Sequence, residues 1–150
     1  GDPHDCEGWR LPTVAEWEYL ARGGTTTGTW AGDLDTCTGT SSVLQDVAWY
    51  VGNSGGSGPY VVAALQANPW GLYDVLGNLL EWCWDPLGTP TSDAPVTNPV
   101  ASGNGGGALQ TCRGGAWPME PWANRAAYRS AATRFQVAPF RGFRWVRTLP

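Results

Sequence analysis

The twelve residues from Gly71 to Trp82, GLYDVLGNLLEW, set how the remaining chain can be interpreted. They bring turn residues, oxygen-bearing side chains and large apolar groups closer together than any other segment. Gly71 and Gly77 allow backbone angles closed to residues with a Cβ, which predicts tight bends on either side of Tyr73-Asp74-Val75-Leu76. Asp74 and Glu81 then lie seven residues apart on a bent backbone. Carboxylates held close together repel unless a positive charge sits between them, and a hard cation that gathers carboxylate and carbonyl oxygens is the usual solution. Spacing alone carries that reading weakly, because two acids near a turn are most often separate surface groups.

Further motifs flank this stretch. Arg10 to Gly24 reads RLPTVAEWEYLARGG, Trp49 to Ser54 reads WYVGNS, Asn68 to Asp74 reads NPWGLYD, Arg113 to Trp117 reads RGGAW, and Gly142 to Arg147 reads GFRWVR. Together they resemble, in the same order, the signatures of the formylglycine-generating enzyme (sulfatase-modifying factor) family, whose fold is a variant of the C-type lectin fold. The resemblance covers nearly all of the chain. It implies one α+β, loop-rich, C-type-lectin-like domain over residues 1–150, with short strands and few helices. Full members of the family begin earlier, so it also implies that this chain lacks the N-terminal third of the family fold. It implies a calcium ion held by the side chains of Asp74 and Glu81 and by the carbonyls of Gly77 and Leu79. Leu80 stands where the family usually has Trp, a departure that bears on packing more than ligation. The family's second calcium site, around Gly52-Asn53-Ser54, would be incomplete, because the following loop Gly55 to Pro59 contains no acid.

A chain of 150 residues is one domain by size and long enough to bury a real core. Ten Trp, five Tyr and three Phe supply large apolar surfaces, while 21 Gly and 12 Pro predict turns and irregular loops between them. With a net charge of −4 and no Lys, the chain has no basic stripe to neutralise a phosphate backbone, so nucleic acid is not an expected partner. No apolar run approaches the roughly 20 residues that span a bilayer, and the N-terminal GDPHDCEGWR has no signal-peptide core. No membrane span is expected, and the expected location is extracellular or at the cell surface.

Thr13 to Glu16 forms a Thr-x-x-Glu capping box, in which each end residue can satisfy the other's backbone N–H, so a helix should start at Thr13. Val14, Trp17 and Ala21 make one apolar face, Glu18 and Arg22 form an i,i+4 pair, and Gly23-Gly24 stops the helix. Thr25 to Leu44 reads as a long surface excursion whose Asp33 and Asp35 read as solvated loop acids, with cation binding as the alternative. Tyr60, Val61 and Val62 predict one short strand or extended segment. Pro86 to Gly107 is a long aperiodic loop, and Thr111 to Arg147 alternates apolar and polar residues as strands do.

The four cysteines, Cys6, Cys37, Cys83 and Cys112, include no CxxC pair that would point to zinc. Three pairings are open by arithmetic. The segments carrying Cys83 and Cys112 are neighbours in the family's fold, so the resemblance favours a Cys83–Cys112 disulfide, with buried free thiols as the alternative. Seven of the nine arginines, Arg113, Arg125, Arg129, Arg134, Arg141, Arg144 and Arg147, fall in the final third. They read first as bidentate partners of Glu and Asp that tie loops to the core, and second as a site for an anionic ligand.

Sulfatase-modifying members oxidise a substrate cysteine through two cysteines that bind copper. At the corresponding positions this chain has Met119 and Asn124, which cannot replace two thiolates on Cu(I), so copper and formylglycine-generating activity are not expected. The single histidine, His4, leaves no His-based triad, and no Walker-type phosphate loop is present. The resemblance places an exposed ligand-facing surface between Pro118 and Phe140. Its candidate contact residues are Met119, Glu120, Trp122, Phe135, Gln136 and Phe140, with inward packing of the large ones as the alternative. The same frame resembles the variable proteins of diversity-generating retroelements, which display this stretch to bind diverse ligands. The reading is a non-catalytic, calcium-stabilised domain that binds a protein or glycan. The alternatives are a copper-dependent oxidoreductase and a structural or assembly subunit, the last with a partner chain completing the fold.

Overall fold

The computed structural model describes residues 2–5, 7–88, 96–100 and 109–148. Strand β1 (Gly8–Arg10) leads into helix α1 (Val14–Arg22), and a single turn, α2 (Val51–Ser54), follows the long excursion. Strands β2 (Leu80–Pro86), β3 (Leu109–Arg113), β4 (Ser130–Thr133), β5 (Arg141–Phe143) and β6 (Val146–Thr148) complete the order. The main sheet runs β4-β3-β2-β5, antiparallel except for the β2–β5 pair, while β1 and β6 pair antiparallel as a separate ribbon. Among the described residues no helix is long and apolar enough to cross a membrane.

Helix α1 starts where the capping box predicts. The Thr13 hydroxyl accepts from Glu16 N at 3.2 Å, and the Glu16 carboxylate accepts from Thr13 N at 2.8 Å. Arg10 grips the same carboxylate with two bonds of 2.7 Å. Burial raises the Glu16 pKa, but the bonds from Arg10 and Thr13 outweigh it and hold the carboxyl below its ordinary value. This tie is therefore complete at neutral pH and is lost as acid protonates Glu16 through that lowered value. The helix ends at Gly23 in the left-handed conformation.

The apolar face Val14, Trp17 and Ala21 packs with Leu44, Val47, Ala48, Tyr50, Val75, Leu76 and Cys83 in the main core. A second cluster of Leu80, Cys112 and Ala116, with Trp82, Met119 and Phe140 against it, contains the alternate residues of β2. Glu81 and Cys83 point toward α1, whereas Leu80 and Trp82 point to the other face. Cys112 pairs with Trp82 across the ladder and so shares that other face. The expected Cys83–Cys112 disulfide is corrected on this ground: both are free thiols, because the two side chains lie on opposite sides of the sheet.

One further expectation is decided between its two forms. Tyr60 to Val62 is not a strand; Val61 and Val62 are 79% and 72% exposed. The Asn78 side chain takes the place of a ladder there, accepting from Tyr60 N at 2.9 Å and donating to Tyr60 O at 3.2 Å, while the Tyr60 ring stacks on Trp49. Asp33 and Asp35 are exposed loop acids, as expected, and each also ties its loop. Asp33 accepts from Gly28 N, and Asp35 accepts from Ser41 and Ser42, whose bonds hold its carboxyl well below the usual range. The 86–107 loop prediction lies partly outside the described residues.

Candidate functional site

The bends at Gly71 and Gly77 carry positive φ, as do Asp74 and Asn78 between and beyond them. This winding places Asp74, Asn78, Leu79 and Glu81 on one cavity of about 380 Å³, together with Arg144. Asp74 accepts from Ala63 N through one oxygen at 2.7 Å. Glu81 accepts two bonds from Arg144, at 2.7 and 3.0 Å, and one from the Trp17 indole at 2.7 Å. Arg144 thus meets much of the charge for which a cation was invoked. The donor set still fits a hard cation that shares Glu81 with Arg144. The second oxygen of Asp74 and the carbonyls of Gly77 and Leu79 accept no hydrogen bond among the described residues, and Gly77 is buried. Such a site would rest on backbone oxygens, since among the described residues no three His, Cys, Asp or Glu side chains cluster.

The arginines divide by partner. Arg113 and Arg144 of the final third are ion-paired, to Glu18 and Glu81, as Arg10 and Arg22 are to Glu16 and Glu18. Arg113 is fully buried, lies over the Trp17 ring at 5.1 Å and donates to the carbonyls of Ala126, Ala127 and Tyr128. It fastens the segment after RGGAW to helix α1. Arg125, Arg129, Arg134, Arg141 and Arg147 have no ion pair among the described residues.

The predicted ligand surface separates into inward and outward residues. Met119 and Phe140 pack on Leu80, Cys112 and Ala116. Glu120 accepts from Gly39 N at 2.8 Å and holds the long excursion in place. Trp122 is partly exposed with its ring edge-to-face with Tyr128. Phe135 and Val137 are 94% and 96% exposed, with Gln136 exposed between them. Phe135, Gln136 and Val137 line a depression of about 380 Å³ with Trp82, Arg134, Ala138 and Arg141. A second depression, of about 580 Å³, is walled by Trp82, Trp84, Phe143 and Trp145, with Gln110 and Arg134. Sequence reasoning missed this one, although the two-residue spacings of Trp82 with Trp84 and of Phe143 with Trp145 are the signal of a shared sheet face.

Asn124 is fully buried, donates to Glu120 O at 3.0 Å and leaves its Oδ1 without a partner. The two positions that would carry copper-binding thiolates are therefore a packed thioether and a buried amide. Cys83 and Cys112 do not supply the missing thiolates. Burial pushes the Cys83 thiol far up and the Cys112 thiol up to about 12, against about 8.5 for a free one. In a thiol-labelling experiment at pH 8, exposed Cys37 is expected to react while Cys83 and Cys112 stay unmodified until the chain is unfolded. Peptide mapping checks this, and native labelling of Cys83 would contradict it.

Comparison with known proteins agrees with this geometry. The family model for the sulfatase-modifying factor enzyme 1-like domain matches residues 3–149. The formylglycine-generating enzyme of Thermomonospora curvata is 33% identical over 91% of this chain and 48% of its own length. That of Streptomyces coelicolor is 37% identical over 83% of this chain and 41% of its own. Among solved structures, Treponema denticola variable protein 1 superposes with a TM-score of 0.80 at 32% identity, covering 93% of this chain and 47% of that one. PvdO from Pseudomonas aeruginosa gives 0.79 at 27% identity, covering 94% and 53%. The chain spans about half the length of these relatives.

Proposed function

This chain belongs to the sulfatase-modifying factor enzyme 1-like domain family, and on that footing we propose that it is a non-catalytic module that binds a ligand, protein or glycan, through the surface between Pro118 and Phe140. The observation that carries this reading is the presentation of Phe135 and Val137, two large apolar side chains almost wholly in solvent at the rim of a depression floored by Trp82. Likeness to a protein named for its variability supports a surface used for recognition. The replacement of both thiolate positions, by Met119 and Asn124, argues against copper oxidase chemistry.

The test is a screen of the intact chain against protein and glycan arrays beside a Phe135→Ser, Val137→Ser variant. Both side chains are exposed, so the variant should melt within about 0.5 kcal/mol of the parent. Binding present in the parent and lost in the variant supports the reading. An empty array, or binding indifferent to the change, removes it.

Calcium enters the same proposal as a stabiliser. Asp74 and Glu81, with the carbonyls of Gly77 and Leu79, would hold the ion, and its charge would relieve the repulsion between the two carboxylates. At roughly 100 times the dissociation constant, calcium should raise the melting temperature by about 5–10 °C. Chelation should reverse the shift, and Glu81→Ala should abolish the response. A melt unmoved by chelator in the parent would remove calcium and leave the binding surface untouched.

A further inference from the structure

The two depressions adjoin, with Trp82 and Arg134 lining both, and together they make up one trough-like surface. Its walls are apolar and mostly aromatic: Trp84, Phe143 and Trp145 line one depression with Trp82, and Phe135 and Val137 line the other. Its charges are of one sign. Arg134 and Arg141 line it, and among the described residues no carboxylate does, although the chain as a whole carries −4. Arg134 spends its Nε on the Gln110 carbonyl oxygen at 3.1 Å, leaving both terminal nitrogens without a bond among the described residues. Arg141 stands over the rings of Phe140 and Trp82, at 5.1 and 5.8 Å, with its Nε buried and without an acceptor. Arg141 is thus pre-oriented on a partly dehydrated surface, where a carboxylate would be held more strongly than in open water, and exposed Arg134 is oriented beside it by Gln110.

We infer that the trough binds an acidic peptide segment of a protein partner, with its carboxylates on Arg134 and Arg141 and its apolar side chains against Trp82, Trp84, Phe143 and Trp145. This rests on the ligand-binding reading of the same surface and narrows it. A glycan is served less well, because hydroxyl groups need directional partners and, of the trough's two amides, Gln110 is occupied and only exposed Gln136 is left. Gln110 Nε2 donates to the carbonyls of Cys83 and Trp84, and its oxygen accepts from Arg134. A long nucleic acid strand would meet the net negative charge beyond the two arginines.

Fluorescence anisotropy on the intact chain tests this with four labelled probes: a short peptide alternating Glu with Leu and Phe, its Lys-for-Glu counterpart, polygalacturonate, and a single-stranded oligonucleotide. The acidic peptide should bind about tenfold or more tighter than the basic one and weaken as salt is raised. Arg134→Gln with Arg141→Gln should lose about tenfold in affinity and most of the salt dependence. If the double variant melts early, Arg134→Gln alone is read, since that side chain is exposed and its one hydrogen bond among the described residues is to Gln110. Tighter binding of polygalacturonate or the oligonucleotide, or acidic-peptide binding indifferent to the arginines, overturns the inference. An array ligand that is neutral or basic and depends on Phe135 and Val137 overturns it while the binding role stands. Failure of every probe and every array ligand removes both.

Discussion

Arg113→Ala should destabilise the fold by about 3–5 kcal/mol, as breaking a buried charged network does. The substitution removes the donor for three carbonyls, of Ala126, Ala127 and Tyr128, each of which loses about 1–3 kcal/mol if left unsatisfied. It also takes away the group packed on Trp17 and the bond to Glu18. Two terms oppose the loss. Glu18 keeps Arg22 as a partner, and the desolvation that pushes the Arg113 pKa down is relieved. The carbonyls outnumber these gains, so the sign is set by them. Arg113→Lys should recover little, because an ammonium cannot reach carbonyls and carboxylate with the geometry of the guanidinium fork. Urea unfolding of the three proteins measures this; a loss under about 1 kcal/mol for Ala would show that the 126–128 segment is held by something else.

The second large effect is at Gly77. A Cβ built there would stand 2.3 Å from the Trp49 carbonyl oxygen and 2.8 Å from its nitrogen, and φ is +75°. The backbone on both sides is committed, with Gly77 N on Gly114 O at 2.7 Å and Asn78 N on Trp49 O at 2.8 Å. Alanine must break one of these contacts, so Gly77→Ala should cost about 3 kcal/mol or more. About 1–2 of that comes from the left-handed conformation and the rest from displaced backbone. Gly71→Ala is the control: its φ is +78°, yet nothing lies within 4 Å of the added Cβ, so only the conformational part should appear. Equal losses at the two glycines would mean that the approach of Trp49 is not limiting.

These effects also mark how far the sequence could be read. The capping box, the apolar face of α1 and the left-handed stop at Gly23 depend on residues within a few positions of each other, and each was legible. Alternation from Thr111 onward was legible as well. What the sequence could not tell was which alternate set of β2 faces α1, and for that reason the Cys83–Cys112 bridge was preferred over the buried free thiols that the structure shows. The trough was missed for the same cause. Trp82, Phe143 and Arg134 come from three strands or strand ends, and nothing local says that a parallel β2–β5 pairing sets Trp82 opposite Phe143. Phe140 and Phe135 are five residues apart and equally apolar, yet one packs on Leu80 and the other stands in solvent.

Local chemistry and motif order were enough for the family, the loop-rich α+β class, the start and end of the helix, and the absence of paired thiolates at the copper positions. Folding assigned the partners. Glu81 went to Arg144 and Trp17, and Glu18 to Arg113, across separations of 63, 64 and 95 residues. Contacts that distant exist only once strand register has brought the segments together. A side chain's identity states what it can bind, while register and burial choose which of the capable groups it meets.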